Sequence, residues 1–420
     1  MEPVELPVRL DPRAADVHGQ ARLLRGIGPL VQVRLPGDVV VWAVTRHAEL
    51  QEILTSRDFS RSGHNWRALR DGEVPDDWPM MSNVLLRNML TADGADHRRM
   101  RSLVSRAFTP RRVAGLRPRV EAIVADLLAG LDATDGRADL REAFAFPLPM
   151  RVLAELFGIA EEDRPRLVDL VRRGFGSSVM TPEEGAAFYQ EIHEVLGTLI
   201  EERRAAPADD LASALIAARD GGDRLSDTEL VDMLYLFLAA GFETTEGVLV
   251  NAVRALLAHP VHLEFLAHGA ATWEGVVEEV LRWDTSLFAL PFAYALRDVE
   301  VGGTALRAGD AVLLCYGAAG RDATWHGSTA ERFDPTREQR GHLAFGWGPH
   351  HCMGAPLARM EAAIALRELF TAFPDLRLDA DPAALEPVPS LMANTVERLP
   401  VAFTPRAERA RRTREALGEG

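Results

Sequence analysis

Apolar residues near the N-terminus come in two short blocks, Leu30 to Leu35 and Val39 to Val44, on either side of Pro36-Gly37-Asp38. Valine-rich runs around turn-forming residues predict a β-hairpin. A second, smaller hairpin is predicted around Val299 to Val301 and Ala305 to Leu306, turning at Gly302-Gly303. Elsewhere the spacing is helical. Thr181-Pro182-Glu183-Glu184 supplies an N-cap, a proline at the first helical position and a capping-box acid, and it opens a helix running towards Pro207. Ser226 and Glu229 repeat the capping box, with Leu225 and Leu230 spaced for a hydrophobic staple. The helix they start should continue to about His259, where Pro260 stops it. At ~1.5 Å per residue it is roughly 50 Å long, and the apolar residues around its middle require burial. Near the C-terminus, Leu357, Met360 and Ile364 share one helical face and Leu366, Leu369, Phe370 and Phe373 another, so this helix is buried on more than one side. The pattern predicts a mainly α fold with small peripheral β-sheets.

With 420 residues, 47% of them hydrophobic, the chain can bury a large core. Residues 1–405 are expected to form a single domain, because the candidate residues below are spread along most of that length, and the arginine-rich segment 406–420 to be a frayed tail. The first seven residues have neither a basic start nor an apolar block, so no signal peptide is expected. The longest apolar run, Met233 to Phe242, falls short of the ~20 residues that span a bilayer. The expectation is a cytoplasmic protein without membrane contact. Cys315 and Cys352, the only two cysteines, exclude a disulfide framework. A net charge of −15 argues against nucleic acid as a partner. One basic face stands out, where Arg98, Arg99, Arg101, Arg106, Arg111 and Arg112 cluster around His97. Such a run is either a solvated helix surface or a contact for anionic groups.

The segment Phe345-Gly346-Trp347-Gly348-Pro349-His350-His351-Cys352-Met353-Gly354 sets one cysteine on a glycine-rich loop directly before a helix. The unpaired N–H groups and positive dipole end of a helix favour a thiolate, the form that binds a metal. Glycines 346, 348 and 354 allow the loop to approach a flat group closely. A buried structural cysteine is the plainer reading of a lone Cys-x-Gly. Zinc is disfavoured, since the adjacent His350, His351 and Cys352 cannot converge on one tetrahedral ion. In the central helix, the small residues of Ala239-Ala240-Gly241-Phe242-Glu243-Thr244-Thr245 end in an acid and a hydroxyl. Thr244 can bond the carbonyl of Ala240, which loosens the helix and opens room for a diatomic ligand. A packed small-residue groove is the alternative. Glu279 and Arg282 lie three apart on one helical face, a pair worth little if exposed. His97 and Arg101, four apart, also share a face.

Together, in this order, these motifs resemble those of the cytochrome P450 family, and the resemblance extends over nearly the whole chain from Asp58-Phe59-Ser60. It implies the single-domain P450 fold, with the long central helix crossing over haem b, and Cys352 as the proximal thiolate ligand of the iron. It further implies that Phe345, Gly346 and Gly354 surround the thiolate and that His97, Arg101 and His350 reach the haem carboxylates. Ala240 and Gly241 would face the haem, while Glu243 and Thr244 deliver protons as dioxygen, the co-substrate, is activated. Glu279 and Arg282, with Arg332 of Glu331-Arg332-Phe333, would support the cysteine loop. Many relatives carry an arginine shortly after the Glu-x-x-Arg helix, where this chain has Ala293. One haem carboxylate would then lack its usual cation, to be replaced by water, Arg297 or the substrate. Pocket candidates are Leu85, Leu86, Met89, Leu236, Ala240, Ser286, Ala289, Leu290, Ala293, Met392 and Asn394, a mostly apolar set suited to a steroid-, macrolide- or cyclic-peptide-sized molecule. The implied activity is monooxygenation in natural-product metabolism by a monomer. With no nucleotide-binding glycine motif, its electrons come from a ferredoxin and ferredoxin reductase. Oxidative coupling of aromatic substrates is the alternative chemistry, and a haem sensor or carrier the alternative class.

Overall fold

The computed structural model describes residues 5–13, 15–78, 80–85, 88–159, 161–175, 182–219, 226–338 and 341–409. The first hairpin forms as its pattern dictates. Strands Leu30–Arg34 and Val40–Val44 pair antiparallel from Leu30↔Val44 to Arg34↔Val40. The second joins Val299–Val301 to Thr304–Leu306. The larger sheet extends well beyond a hairpin and has six strands among the described residues. Ala311–Leu314 joins Val40–Val44 in parallel, Leu290–Ala295 pairs with Ala311–Leu314, and Phe59–Ser60 lies along Leu290–Ala295. These pairings join distant parts of the chain, and local alternation does not announce them.

The central helix runs Asp227–Ala258. Its capping box is complete: Ser226 Oγ accepts from the Glu229 N–H at 3.1 Å, and the Glu229 carboxylate accepts from the Ser226 N–H at 2.7 Å. Thr181 and Leu225, expected as cap and staple residues, lie outside the described residues. By length and composition this helix is apolar enough to cross a membrane, which the short run Met233 to Phe242 did not suggest. It is instead enclosed by helices Pro147–Phe157, Pro182–Ala205, Trp273–Trp283 and Ala355–Ala372. Leu230, Met233, Leu234, Val250, Ala252 and Leu256 are wholly buried there, each large side chain stabilising the fold by about 1.5–3 kcal/mol. In Ala355–Ala372, both predicted faces are buried through Leu357, Ile364, Leu366, Leu369 and Phe370. Of the expected tail, residues 406–409 form a helical turn, anchored where the Arg406 N–H donates to Asp132 at 2.5 Å.

Candidate active site

A cavity of about 960 Å³ lies where three distant segments meet. The cysteine loop contributes Phe345, Gly346, His350, Cys352 and Gly354, the central helix Ala240, Gly241, Glu243 and Thr244, and helix Gly94–Ala107 contributes His97 and Arg101. The loop is shaped by Gly346 and Gly348, both at φ +69°. A Cβ at 348 would stand 2.9 Å from the Leu54 carbonyl, so only glycine fits. The Cys352 N–H donates to the Phe345 carbonyl at 2.8 Å and closes the loop around the sulfur. The Cys352 side chain is open to the cavity surface although it lies deep within the protein. Burial pushes its thiol up, while the N–H groups of Gly354 and Ala355 and the charges of Arg101 and Arg359 pull it down. A coordinating cation decides that contest, because it deprotonates a thiol outright. Cys315 is buried in the core, and burial pushes its thiol up to about 12.

On the central helix, the Thr244 hydroxyl donates to the Ala240 carbonyl at 2.6 Å, the bond expected from their spacing. The Ser286 hydroxyl in turn donates to the Thr244 carbonyl at 2.6 Å. Burial raises the Glu243 carboxyl to about 8, with the charge of Glu246 adding and that of Arg141 opposing. Glu243 therefore keeps its proton at neutral pH. Gly241 has a packing reason of its own, since a Cβ there would lie 3.2 Å from the Leu153 side chain.

The His97 ring packs against His350 at 4.1 Å between centroids. Burial, then the charges of His350 and Arg101, holds the His97 imidazole down at about 4. Its Nε2 is buried with no hydrogen-bond partner among the described residues. A buried polar atom without a partner is rare in proteins, and this one belongs to a residue that lines the cavity. Arg101 Nη2 donates to the His351 carbonyl at 2.7 Å. His350 Nε2 lies 3.8 Å from the Asp93 carboxylate.

Glu279 and Arg282 are almost fully enclosed, with 2% and 0% of their side chains exposed. Arg282 donates to both Glu279 oxygens at 2.8 and 2.7 Å, and to the carbonyls of Gly320, Ala330 and Arg332 at 2.7, 2.8 and 2.9 Å. The expected third guanidinium is corrected here. Arg332 is exposed and gives the cluster only its carbonyl, whereas Arg337 Nε approaches Glu279 to 3.6 Å. The neighbouring Glu278 accepts from His342 at 3.1 Å and from Arg359 at 2.5 and 3.0 Å. Those bonds outweigh burial and hold Glu278 at about 2. Arg359 also lies over the Phe345 ring at 4.5 Å, so this helix braces the cysteine loop directly.

Of the pocket candidates, Met89, Leu236, Ala240, Ser286, Leu290 and Met392 line the cavity. Leu85 is exposed and off its wall; Ala289 and Ala293 are buried in apolar clusters beside the sheet. The Asn394 amide is spent on the Asp284 carboxylate at 2.8 Å and the Thr285 carbonyl at 3.1 Å. Leu86 lies outside the described residues. Arg297 forms a two-pronged pair with Asp58 at 2.7 Å on the surface and is not turned to the cavity. The sequence reading missed the wall residues Phe108, Leu153, Leu156, Phe188, Phe237 and Val248. Helical spacing from Ala240 and Thr244 marks Phe237 and Val248, whereas Leu153 and Leu156 share helix Pro147–Phe157, Phe108 ends helix Gly94–Ala107 and Phe188 lies on Pro182–Ala205, none with a local signal that points to the cavity.

Residues 80–268 and 273–387 match the family profile of cytochrome P450. This chain belongs to the cytochrome P450 family. It is 38% identical to 2-hydroxy-5-methyl-1-naphthoate 7-hydroxylase of Streptomyces carzinostaticus, over 96% of this chain and 98% of that one. To the P450 monooxygenase PikC of Streptomyces venezuelae it is also 38% identical, over 95% and 94%. Testosterone-bound CYP154C4 from Streptomyces sp. ATCC 11861 superposes with a TM-score of 0.91 at 42% identity, covering 95% of this chain and 99% of that one. The cofactor of this P450 is accordingly haem, bound through the Cys352 thiolate, and it acts as a monooxygenase. The residues present fit that group: an accessible sulfur at a helix start, an unpartnered His97 nitrogen, and a largely apolar cavity between them.

One further wall residue of the P450 makes a testable demand. Glu361, one side of the cysteine helix, is enclosed, and burial raises its carboxyl to about 8, with Oε2 unpartnered among the described residues. The folded state thus binds more protons than the unfolded chain between about pH 4.5 and 8, so stability falls as pH rises through that window. Glu361→Gln should be more stable than the parent at pH 8 and flatten this fall, as read by thermal melts at several pH values. A variant that melts lower at pH 8 by the same margin as at pH 5 would contradict the assignment.

Proposed function

We propose that this P450 is a cytoplasmic, monomeric hydroxylase of a rigid, mostly apolar natural product of steroid or macrolide size, with residues 1–405 acting as one domain. The observation that carries the reading is the convergence of Cys352, Thr244 and Glu243 on one cavity whose remaining wall is largely apolar. Haem, which the Cys352 thiolate would hold, would supply dioxygen activation there. The chain's own residues supply the protons and the exclusion of water. Glu243 holds a proton below about pH 8, and the Thr244 hydroxyl, one residue on, is oriented by Ala240. Phe237, Val248, Leu290 and Met392 give the substrate apolar contacts and few polar handles. His97, Arg101 and His350 are assigned to the haem carboxylates.

Bacterial P450s generally draw electrons from a ferredoxin and its reductase. Arg98 and Arg111 are exposed near His97, while Arg99 pairs with Glu229, Arg112 with Asp209, and Arg101 bonds a carbonyl. Arg98 and Arg111 are therefore the assigned contacts for an acidic ferredoxin. The test is Thr244→Ala, which should keep haem and substrate binding but release most consumed electrons as peroxide, because a positioned proton donor contributes ~100-fold or more. Unchanged coupling of electron use to product would remove Thr244 from this role. Titrations with testosterone and with a macrolide, followed by the substrate-induced spin shift, test the substrate class.

A further inference from the structure

We propose that Arg61 replaces the arginine missing at position 293 and holds one haem carboxylate. The proposal rests on the haem reading above. Its first support is register. Phe59 faces Ala295 and Ser60 faces Tyr294 across an antiparallel pair. The pair ends there, and Arg61, the next residue, turns its N–H to Asp93; continuing the register by one step would set residue 61 opposite residue 293. Facing residues of such a pair project to the same side, with Cβ atoms about 4.5–5.5 Å apart. An arginine at 61 therefore carries its guanidinium to the side of the sheet that an arginine at 293 would reach, and the small Ala293 leaves it room.

The state of the side chain is the second support. Arg61 is only 9% exposed, yet its Nε and Nη1 have no hydrogen-bond partner among the described residues. A buried guanidinium without an anion is costly, so the geometry asks for a carboxylate. Asp93 does not meet the demand: its carboxylate accepts from the Ser60 hydroxyl and from the backbone N–H groups of Arg61 and Ser62, the latter two at 2.8 and 3.2 Å. Arg61 itself does not line the cavity, but Asp93, which accepts from the Arg61 N–H at 2.8 Å, lies 3.8 Å from Nε2 of His350, and His350 lines the cavity and packs against His97. The alternative donor is excluded, because Arg297 is bound to Asp58. A guanidinium fork matches a carboxylate with two parallel N–H···O bonds, a geometry that no neutral side chain reproduces.

The experiment measures haem loss from the holoprotein to excess apomyoglobin, together with the midpoint potential of the iron. Arg61→Gln should lose haem roughly tenfold or more faster, the usual consequence of deleting a hydrogen bond to a charged group. Its midpoint potential should fall, because a nearby positive charge favours the reduced iron. The double variant Arg61→Gln/Ala293→Arg returns the charge from the facing strand and should recover haem retention and potential towards the parent. Parental haem loss and potential in Arg61→Gln would overturn the proposal. If that single variant accumulates poorly, a double variant that accumulates and retains haem supports the proposal, and one no better than the single variant overturns it. A parent protein that takes up no haem would instead defeat the haem reading on which the proposal rests.

Discussion

Replacing Cys352 by alanine should abolish the long-wavelength band expected of the ferrous protein with carbon monoxide, and turnover with it. Cys315→Ala should leave the band intact. The contrast follows from where the two sulfurs lie. Cys352 opens to the cavity on a loop closed by its own N–H and preceded by two glycines at positive φ. Two helix-start N–H groups and two arginines act on its sulfur. Nothing comparable surrounds Cys315, whose thiol is buried and pushed up to about 12. Its truncation should cost about 1 kcal/mol, as for an ordinary core substitution. A band that survives in Cys352→Ala would overturn the ligand assignment.

Arg282→Leu should be the most destabilising substitution away from the cavity. Its guanidinium makes five hydrogen bonds at 0% side-chain exposure. Removing it strands the Glu279 carboxylate without its principal partner, and breaking a buried pair in this way costs roughly 3–5 kcal/mol. That is a large part of the 5–15 kcal/mol by which proteins are typically stable. Urea unfolding should show a sharply lowered midpoint, or too little folded protein to measure. Arg332→Ala is the control: its side chain is exposed and only its carbonyl is used, so it should stay within about 0.5 kcal/mol of the parent. Equal losses for the two variants would show that the enclosed fork is not what stabilises this region.

What the sequence revealed follows the range of the forces involved. The Ser226–Glu229 capping box, the Pro36–Asp38 turn and the Thr244–Ala240 bond each span a few residues, and each forms as its spacing requires. Leu153, Phe108 and Phe188 reach the same cavity wall from separate helices, an approach decided by packing and written in no local pattern. Arg332 and Arg337 illustrate the same limit. Both follow the Glu-x-x-Arg helix by a similar distance, and only the path of the chain turns one inward and the other out. Asn394 looked like a polar handle for substrate because its type is polar, but Asp284 and Thr285 had already claimed its amide. Arg61 carried no signal of its own until the strand pairing put it one register step from Ala293.

The helix Trp273–Trp283 places Glu278 and Glu279 side by side in sequence and commits them to different neighbours, the cysteine-loop brace and the Arg282 fork. Adjacent helical residues point about 100° apart, so both commitments hold at only one rotation of the helix. Its ends are tied as well, by Thr272, whose hydroxyl accepts from the Gly275 N–H, and by Asp284, bonded to His18. One residue gained or lost between those ends would swing both acids off their partners at once. Outside Thr272, Glu278, Glu279, Arg282 and Asp284 the segment can drift in composition, but its length is locked.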